Sequence, residues 1–274
     1  MTERWLLFLF GFLSLTFAFY AGLRVRPESR RGVITVISIC LVPVVVRTIL
    51  ILFPTLEYRF LDHDAYALLR TWWSVPFSIA LFVSAAPHMS SRRAHAGLIG
   101  FSLILWACGT DRLLATAVVD SDMMEGVVER DEVCRQTTNF TCGAAAATLL
   151  YQFEIDATEA EMAELCWTNA VTGTDEMCIA RGLRRKIAGR NLVPHVRSAS
   201  WEDLLAYPGS AAVTVRYKTL IEHWVVVFEA SETRVIVGDP MGGRRVYSAE
   251  AFQKVWCGLM VTIEEDRPGA PKAD

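Results

Sequence analysis

The chain has 274 residues, of which 53% are hydrophobic, and its mean hydropathy of +0.31 is too high for a protein that is water-soluble throughout. The net charge of −3 is unevenly distributed: residues 1–119 carry 11 Arg, no Lys and 6 Asp or Glu, whereas residues 120–274 carry 16 Lys or Arg and 24 Asp or Glu. This composition excludes a disordered chain, a collagen and a disulfide-rich miniprotein, and the acidic second half does not favour nucleic-acid binding. It predicts a membrane module followed by a soluble domain.

Residues 1–119 contain four apolar stretches, which we predict to be transmembrane helices because a span requires about 20 apolar residues. The stretches are Trp5–Leu23, Val33–Phe53, Tyr66–Ala86 and Gly97–Val119, the last interrupted by Asp111 and Arg112. Four arginines, Arg24, Arg26, Arg30 and Arg31, follow the first stretch, which favours a retained helix over a cleaved signal peptide.

The charges of the connecting loops predict the orientation in the membrane. The loops that contain Arg24–Arg31 and Arg92–Arg93 are basic, and the loop between them carries Glu57, Asp62 and Asp64. By the positive-inside tendency, the two basic loops are cytoplasmic. We therefore predict a multi-pass protein of a bacterial inner (cell) membrane, with the lipid bilayer as one partner and the soluble domain on the periplasmic or extracellular side.

The soluble domain is predicted over residues 131–265, with a connector at 120–130 and a flexible tail at 266–274. Helical patterns come first, at Ala144–Phe153, Ala157–Cys166 and Asp175–Ile187. Short β-branched or aromatic runs follow, at Ala211–Arg216, His223–Glu229 and Thr233–Val237. Helices followed by strands predict an α+β domain in which the helices pack on an antiparallel sheet.

Four residues of this domain are candidates for a catalytic site. Cys142 stands just before the first predicted helix, where the helix dipole favours a nucleophilic thiolate. Gln136, six residues earlier, is a candidate oxyanion donor together with the Cys142 backbone N–H. His223 opens an apolar strand and is the candidate base, and Asp239 ends the next strand, from which its carboxylate can orient the imidazole.

Each of these residues also has a purely structural interpretation. A lone Cys is commonly a small buried apolar residue, and a lone His at a strand start commonly makes a structural hydrogen bond. An Asp before Pro commonly forms a turn. Residue types and spacing by themselves leave both interpretations open.

The segment around the cysteine runs Gln136-Thr-Thr-Asn-Phe-Thr-Cys142-Gly-Ala-Ala-Ala-Ala. It resembles the nucleophile motif of the bacteriocin-processing cysteine peptidases, family thirty-nine of the papain-like clan, in which a Gln lies six residues before a Cys-Gly pair. His223 with its Val-rich run resembles the family's catalytic strand. The family's closing Asp-Pro hairpin and final helix are resembled by Asp239-Pro240, the turn Gly242-Gly243, the segment Tyr247–Phe252 and Trp256-Cys257-Gly258. The resemblance implies a papain-like fold with Cys142 as nucleophile, His223 as base, Asp239 as its orienter and Gln136 as oxyanion donor.

The resemblance implies a cysteine peptidase that cleaves after Gly-Gly or other small residues. Together with the predicted membrane helices and their orientation, it predicts a membrane-anchored enzyme that acts on secreted or membrane-associated proteins. The predicted partners are a peptide or protein substrate and a separate exporter or other membrane complex, since the sequence contains no Walker A motif. One alternative is a catalytically silent papain-like membrane subunit that binds a peptide or stabilises a larger membrane complex. A second is an amidase or transpeptidase that acts on cell-wall peptides.

The other cysteines bear on the compartment and on metal binding. If Cys142 stays free, four remain in the soluble domain, enough for two disulfides in an oxidising space: Cys134, Cys166, Cys178 and Cys257. Three connectivities are open. Neither a CxxC pair nor Cys/His ligand spacing occurs, so no metal and no cofactor is predicted.

Overall fold

The computed structural model of the protein describes residues 3–24, 30–52, 74–89, 91–218 and 221–266. Its internal contacts divide the chain into two compact units, Met1–Val118 and Val119–Asp274. The first is helical in its described residues, and the second combines short helices with a six-stranded sheet.

The described helices of the first unit are α1 (Glu3–Arg24), α2 (Arg30–Leu52), α3 (Ser74–Ala85) and α4 (Arg92–Ala117), with a 3₁₀ turn at Ala86–His88. Helix α4 is continuous through Asp111 and Arg112, since charged side chains do not interrupt the backbone hydrogen bonds of a helix. Helices α1 and α4 are long and apolar enough to cross a bilayer, and the apolar helices at Ile34–Val46 and Val75–His88 are shorter. Four transmembrane helices therefore stay a prediction, part of which falls on residues 53–73, outside the described residues.

Helix α1 approaches its neighbours in the first unit closely. A β-carbon at Gly11 would lie 2.6 Å from Leu113 Cδ1 on α4, and one at Gly22 would lie 2.9 Å from Val83 Cβ on α3. Small residues at such contacts are typical of helices that associate in a membrane. On α1, Phe17 is 70% exposed, as expected where a helix side faces lipid.

The second unit begins with three helices, α5 (Gly143–Tyr151), α6 (Glu159–Leu165) and α7 (Glu176–Lys186). The later elements are β1 (Leu192–Ser198), α8 (Trp201–Ala206), β2 (Ala211–Lys218), β3 (Ile221–Ala230), β4 (Arg234–Asp239), β5 (Gly243–Ser248), α9 (Ala249–Val255) and β6 (Trp256–Glu265). The predicted helices correspond to α5, α6 and α7 and the predicted strands to β2, β3 and β4, each bound lying within two residues of the prediction.

The strands form one sheet in the order β1-β6-β2-β3-β4-β5, and all neighbouring pairs are antiparallel. Strands β1, β5 and β6 were not predicted. The family resemblance assigned Tyr247–Phe252 and Trp256-Cys257-Gly258 to a closing hairpin and final helix; the structure has helix α9 at Ala249–Val255, within the first part of this range, whereas Trp256-Cys257-Gly258 begin β6. Trp256 pairs with Val215 of β2, and from Leu259 onward β6 also pairs with β1.

Both faces of the sheet are covered. On one face, α5 and α7 pack on Trp224 and Val226 of β3, and on the other, Leu204 of α8 and Phe252 of α9 pack on the strands. Burial on both faces explains why β3 is a continuous apolar run rather than an alternating one.

In the structure, the four cysteines that could form two disulfides are free thiols. Cys134 and Cys166 are fully buried in the core, and a β-carbon at Gly182 of α7 would lie 2.2 Å from Cys166 Sγ. Cys178 is buried near the start of α7, and Cys257 is half-buried on β6, where its Sγ lies 3.6 Å from Val255 O.

Candidate active site

Cys142 lies at the N-terminus of α5, where it caps the helix. Its carbonyl accepts a hydrogen bond from Ala145 N–H at 3.0 Å, and its own N–H donates to Phe140 O at 3.1 Å. The alanines that follow are fully buried, so α5 approaches the sheet closely. This packing holds the thiol half-buried at the edge of the core.

The loop between α6 and α7 and the start of β3 both border the Cys142 sulfur. A β-carbon at Gly173 would lie 3.6 Å from Sγ, and backbone hydrogen bonds reach the sulfur from Thr174 and Trp224. Trp224 Nε1–H also donates to Thr174 O at 2.9 Å and so joins this loop to β3.

The environment of Cys142 favours the neutral thiol. Burial raises the pKa of the Cys142 thiol above its ordinary value, and the backbone hydrogen bonds from Thr174 and Trp224 lower it only in part. The sequence predicted a thiolate from the helix dipole. The burial of the sulfur opposes this effect of the helix dipole.

The raised pKa of Cys142 predicts slow alkylation at neutral pH. Iodoacetamide reacts with the thiolate, so the rate of Cys142 modification should keep rising beyond about pH 8.5, where an ordinary cysteine is half ionised. The measurement is carboxamidomethylation of Cys142 in the full chain between about pH 6 and pH 10, followed by peptide mass spectrometry with glutathione as reference thiol. A rate that levels off below about pH 8 would contradict the prediction.

His223 stands near the start of β3 and is buried. Its Nε2 lies 2.9 Å from Asp239 Oδ1. Because an ionised carboxylate only accepts hydrogen bonds, Nε2 carries the hydrogen and Nδ1 presents its lone pair. The ring of Tyr217 packs beside the imidazole at a centroid distance of 6.0 Å. These contacts hold the imidazole in the tautomer that a general base requires.

Asp239 ends β4 and is held by the β4–β5 hairpin. Met241 N–H donates to Oδ1 at 2.9 Å, and Arg245 Nη1 lies 3.6 Å from Oδ2. Burial by itself raises the pKa of this carboxyl, but the hydrogen bonds from His223 and Met241 and the charge of Arg245 outweigh it, and the pKa lies below the ordinary value. Asp239 is therefore ionised at neutral pH.

Gln136 lies on the loop before Cys142, where its backbone N–H donates to Pro240 O at 3.0 Å. Its Nε2 donates to Thr138 O at 2.7 Å, and its buried Oε1 has no hydrogen-bond partner among the described residues. One Nε2 hydrogen stays available, since an amide nitrogen carries two. The other predicted oxyanion donor, the Cys142 N–H, is engaged by Phe140 O, so this N–H must be freed or shared when a substrate oxygen binds.

The structure thus brings His223 and Asp239 into contact and places Cys142 against Trp224, the residue after His223. Two neighbouring charged residues were not singled out from the sequence: Arg245 beside Asp239, and the buried Glu159. No local pattern distinguishes either from a solvated charge. Among the residues that the structure describes, no three His, Cys, Asp or Glu side chains are grouped to hold a metal ion.

A cysteine at a helix N-terminus and a His–Asp pair on the adjoining antiparallel sheet define a domain of the papain-like class. The sequence profile of the peptidase C39 family matches residues 130–267, just over half of the chain. The chain therefore belongs to the peptidase C39 family, which confirms the resemblance found in the motif around Cys142.

Several known proteins are similar to this chain. An uncharacterized protein of Methanothermobacter marburgensis is 26% identical over 155 residues, which cover 52% of this chain and 95% of the relative. The peptidase domain of Streptococcus ComA, a bifunctional ABC transporter, has a TM-score of 0.42 and 24% identity and covers 48% of this chain and 96% of that domain. A double glycine motif protease from an AMS/PCAT transporter, in complex with the leader peptide, has a TM-score of 0.42 and 16% identity. The match covers 52% of this chain and 95% of that protease.

Proposed function

We propose that this chain is a membrane-anchored cysteine peptidase with a Cys142–His223–Asp239 mechanism. The observation that carries the proposal is the 2.9 Å contact between His223 Nε2 and Asp239 Oδ1. His223 is followed directly by Trp224, whose backbone forms a hydrogen bond with the Cys142 sulfur. Membership of the C39 family supports a peptide substrate. We infer cleavage after Gly-Gly or other small residues in secreted or membrane-associated proteins.

In the first half of the reaction, the Cys142 sulfur attacks the peptide carbonyl carbon while its proton passes to His223 Nδ1. The carbonyl oxygen becomes an oxyanion, which Gln136 Nε2–H and the Cys142 N–H receive, each such donor being worth about 10²- to 10³-fold in rate. His223 then gives its proton to the leaving amine, the carbon–nitrogen bond breaks, and a thioester remains on Cys142.

In the second half, the oxygen of a water molecule attacks the thioester carbon while His223 takes a proton from that water. His223 returns the proton to the sulfur as the carbon–sulfur bond breaks, which releases the acid product and restores the thiol. Because burial raises the pKa of Cys142, proton transfer accompanies attack instead of preceding it. The ionised Asp239 stabilises the imidazolium that forms in each half.

Two helices long and apolar enough to span a bilayer support membrane anchoring. The arginine-rich loops favour a multi-pass arrangement in a bacterial inner membrane, with the peptidase domain on the periplasmic or extracellular side. In this arrangement the partners are the substrate, the lipid bilayer and a separate exporter or other membrane complex.

A second candidate function is a silent subunit that binds a peptide without cleaving it. Two observations favour it: the raised pKa of Cys142, and the engagement of the Cys142 N–H by Phe140 O. Such a subunit would bind peptides with Cys142 alkylated or intact.

The test uses the full chain in detergent micelles with peptides that contain Gly-Gly, Ala-Ala or bulky pairs, and with peptidoglycan fragments. We expect cleavage after the small pair, and we expect its loss when iodoacetamide modifies Cys142, as located by peptide mass spectrometry. Binding without product would favour the silent subunit, and cleavage of the peptidoglycan fragments alone would favour an amidase. Cleavage that persists after complete modification of Cys142 would refute the mechanism.

A further inference from the structure

Glu159, the first residue of α6, is completely buried although it is a carboxylate. Its oxygens accept four hydrogen bonds. Thr137 N–H donates to Oε1 at 2.7 Å and the Thr137 hydroxyl to Oε2 at 2.8 Å. The Thr141 hydroxyl donates to Oε1, and Gly126 N–H donates to Oε2 at 3.0 Å. A buried carboxylate is costly unless its oxygens are satisfied, and here each oxygen has two donors.

Three of these four bonds end on the segment that carries the proposed catalytic groups. Thr137 follows Gln136 directly, and Thr141 precedes Cys142 directly. The carboxylate therefore joins the two ends of the loop between the oxyanion donor and the nucleophile. Thr141 is itself fully buried, so its hydroxyl is kept away from competing water.

Gly126 completes the site. Its carbonyl accepts from Glu159 N–H at 2.8 Å while its own N–H donates to the Glu159 carboxylate. A β-carbon at Gly126 would lie 1.7 Å from Arg135 O and 2.7 Å from Glu159 Oε2. Only a residue without a side chain allows the backbone to come this close.

We infer that Glu159 is a positioning residue of the peptidase, an inference that rests on the proposed function. Its carboxylate holds the Gln136–Cys142 loop so that the oxyanion donor and the sulfur keep one spacing. Loss of this anchor displaces both groups relative to the carbonyl under attack. A displacement of about 1 Å at reacting atoms lowers turnover by about 10²-fold, whereas substrate binding elsewhere is untouched.

The experiment compares Glu159→Gln with Glu161→Gln in the full chain in detergent micelles. A Gln side chain at position 159 has nearly the same shape as Glu. It offers one acceptor oxygen instead of two, and its N–H₂ group faces hydrogen-bond donors. We expect kcat on a Gly-Gly peptide to fall by about 10- to 100-fold with an unchanged KM. Glu161 lies on the same helix and pairs with Lys186 at 2.6 Å, so its substitution is the matched control and should leave kcat unchanged.

A second pair of variants keeps the test valid if Glu159→Gln folds poorly. Thr141→Val removes the hydroxyl donor at nearly constant volume, and Thr141→Ser retains it. We expect Thr141→Val to lose more kcat than Thr141→Ser. In the double variant of Thr141→Val and Glu159→Gln, the losses should be less than multiplicative, because both changes remove the same bond.

The rate of iodoacetamide labelling makes the outcome independent of turnover. Loosening the loop should speed Cys142 labelling several-fold in Glu159→Gln while the fully buried Cys166 stays unlabelled, which excludes global unfolding. If the wild-type chain cleaves nothing, the proposed function fails, and the labelling comparison still decides the role of Glu159. Unchanged kcat and labelling in Glu159→Gln, or equal losses in Thr141→Ser and Thr141→Val, would overturn the inference.

Discussion

Replacing Cys142 with Ala is expected to lower the cleavage of a Gly-Gly peptide by about 10⁴-fold or more, because no other group can form the thioester. The fold should persist, since the methyl group of Ala occupies part of the thiol's space at the edge of the core. The measurement is kcat/KM of the full chain in detergent, together with circular dichroism to confirm folding.

Cys257→Ala is the matched control for this substitution. Cys257 is also a free, half-buried thiol of the second unit, but it lies on β6. Its replacement should change kcat/KM by no more than about twofold. If Cys142→Ala retained more than about a tenth of the activity, covalent catalysis by this residue would be refuted.

Asp239→Asn is expected to lower kcat by about 10³- to 10⁴-fold, since an uncharged amide neither fixes the imidazole tautomer nor stabilises the imidazolium. The wild-type carboxylate receives bonds from His223 and Met241 and lies near Arg245. An Asn side chain can donate from its N–H₂ group to His223 Nε2. The imidazole then carries its hydrogen on Nδ1, which cannot accept the proton of the Cys142 thiol. The measurement is a pH profile of kcat for the variant and the wild type.

Asp203→Asn provides the comparison for a carboxylate with a structural role only. Asp203 is exposed and closes a capping box with Ser200 at the start of α8. Its loss should lower the free energy of unfolding slightly, through the lost capping hydrogen bond, without changing kcat. An Asp239→Asn variant that loses stability but keeps its turnover would assign Asp239 the same structural role and contradict the triad.

The elements that were predicted well are those with strong local patterns. Helix α5 follows from a run of alanines, and β3 follows from a β-branched run between polar residues. The edge strands escaped prediction because β1 contains Pro194, and β5 begins with Gly243 followed by two arginines. Proline and charge are tolerated where a strand has a neighbour on one side only, so such strands lack the usual signal.

The amino-acid sequence by itself determined the division into an apolar, basic part and an acidic α+β part, and the residue types of the candidate triad. Only the tertiary structure decided that His223 meets Asp239, that burial raises the pKa of Cys142, and that Glu159 at the start of an acidic helix is buried. The physical reason is the range of the forces involved. Periodicity depends on neighbours along the chain, whereas desolvation and hydrogen-bond partners depend on segments that folding brings together from distant positions.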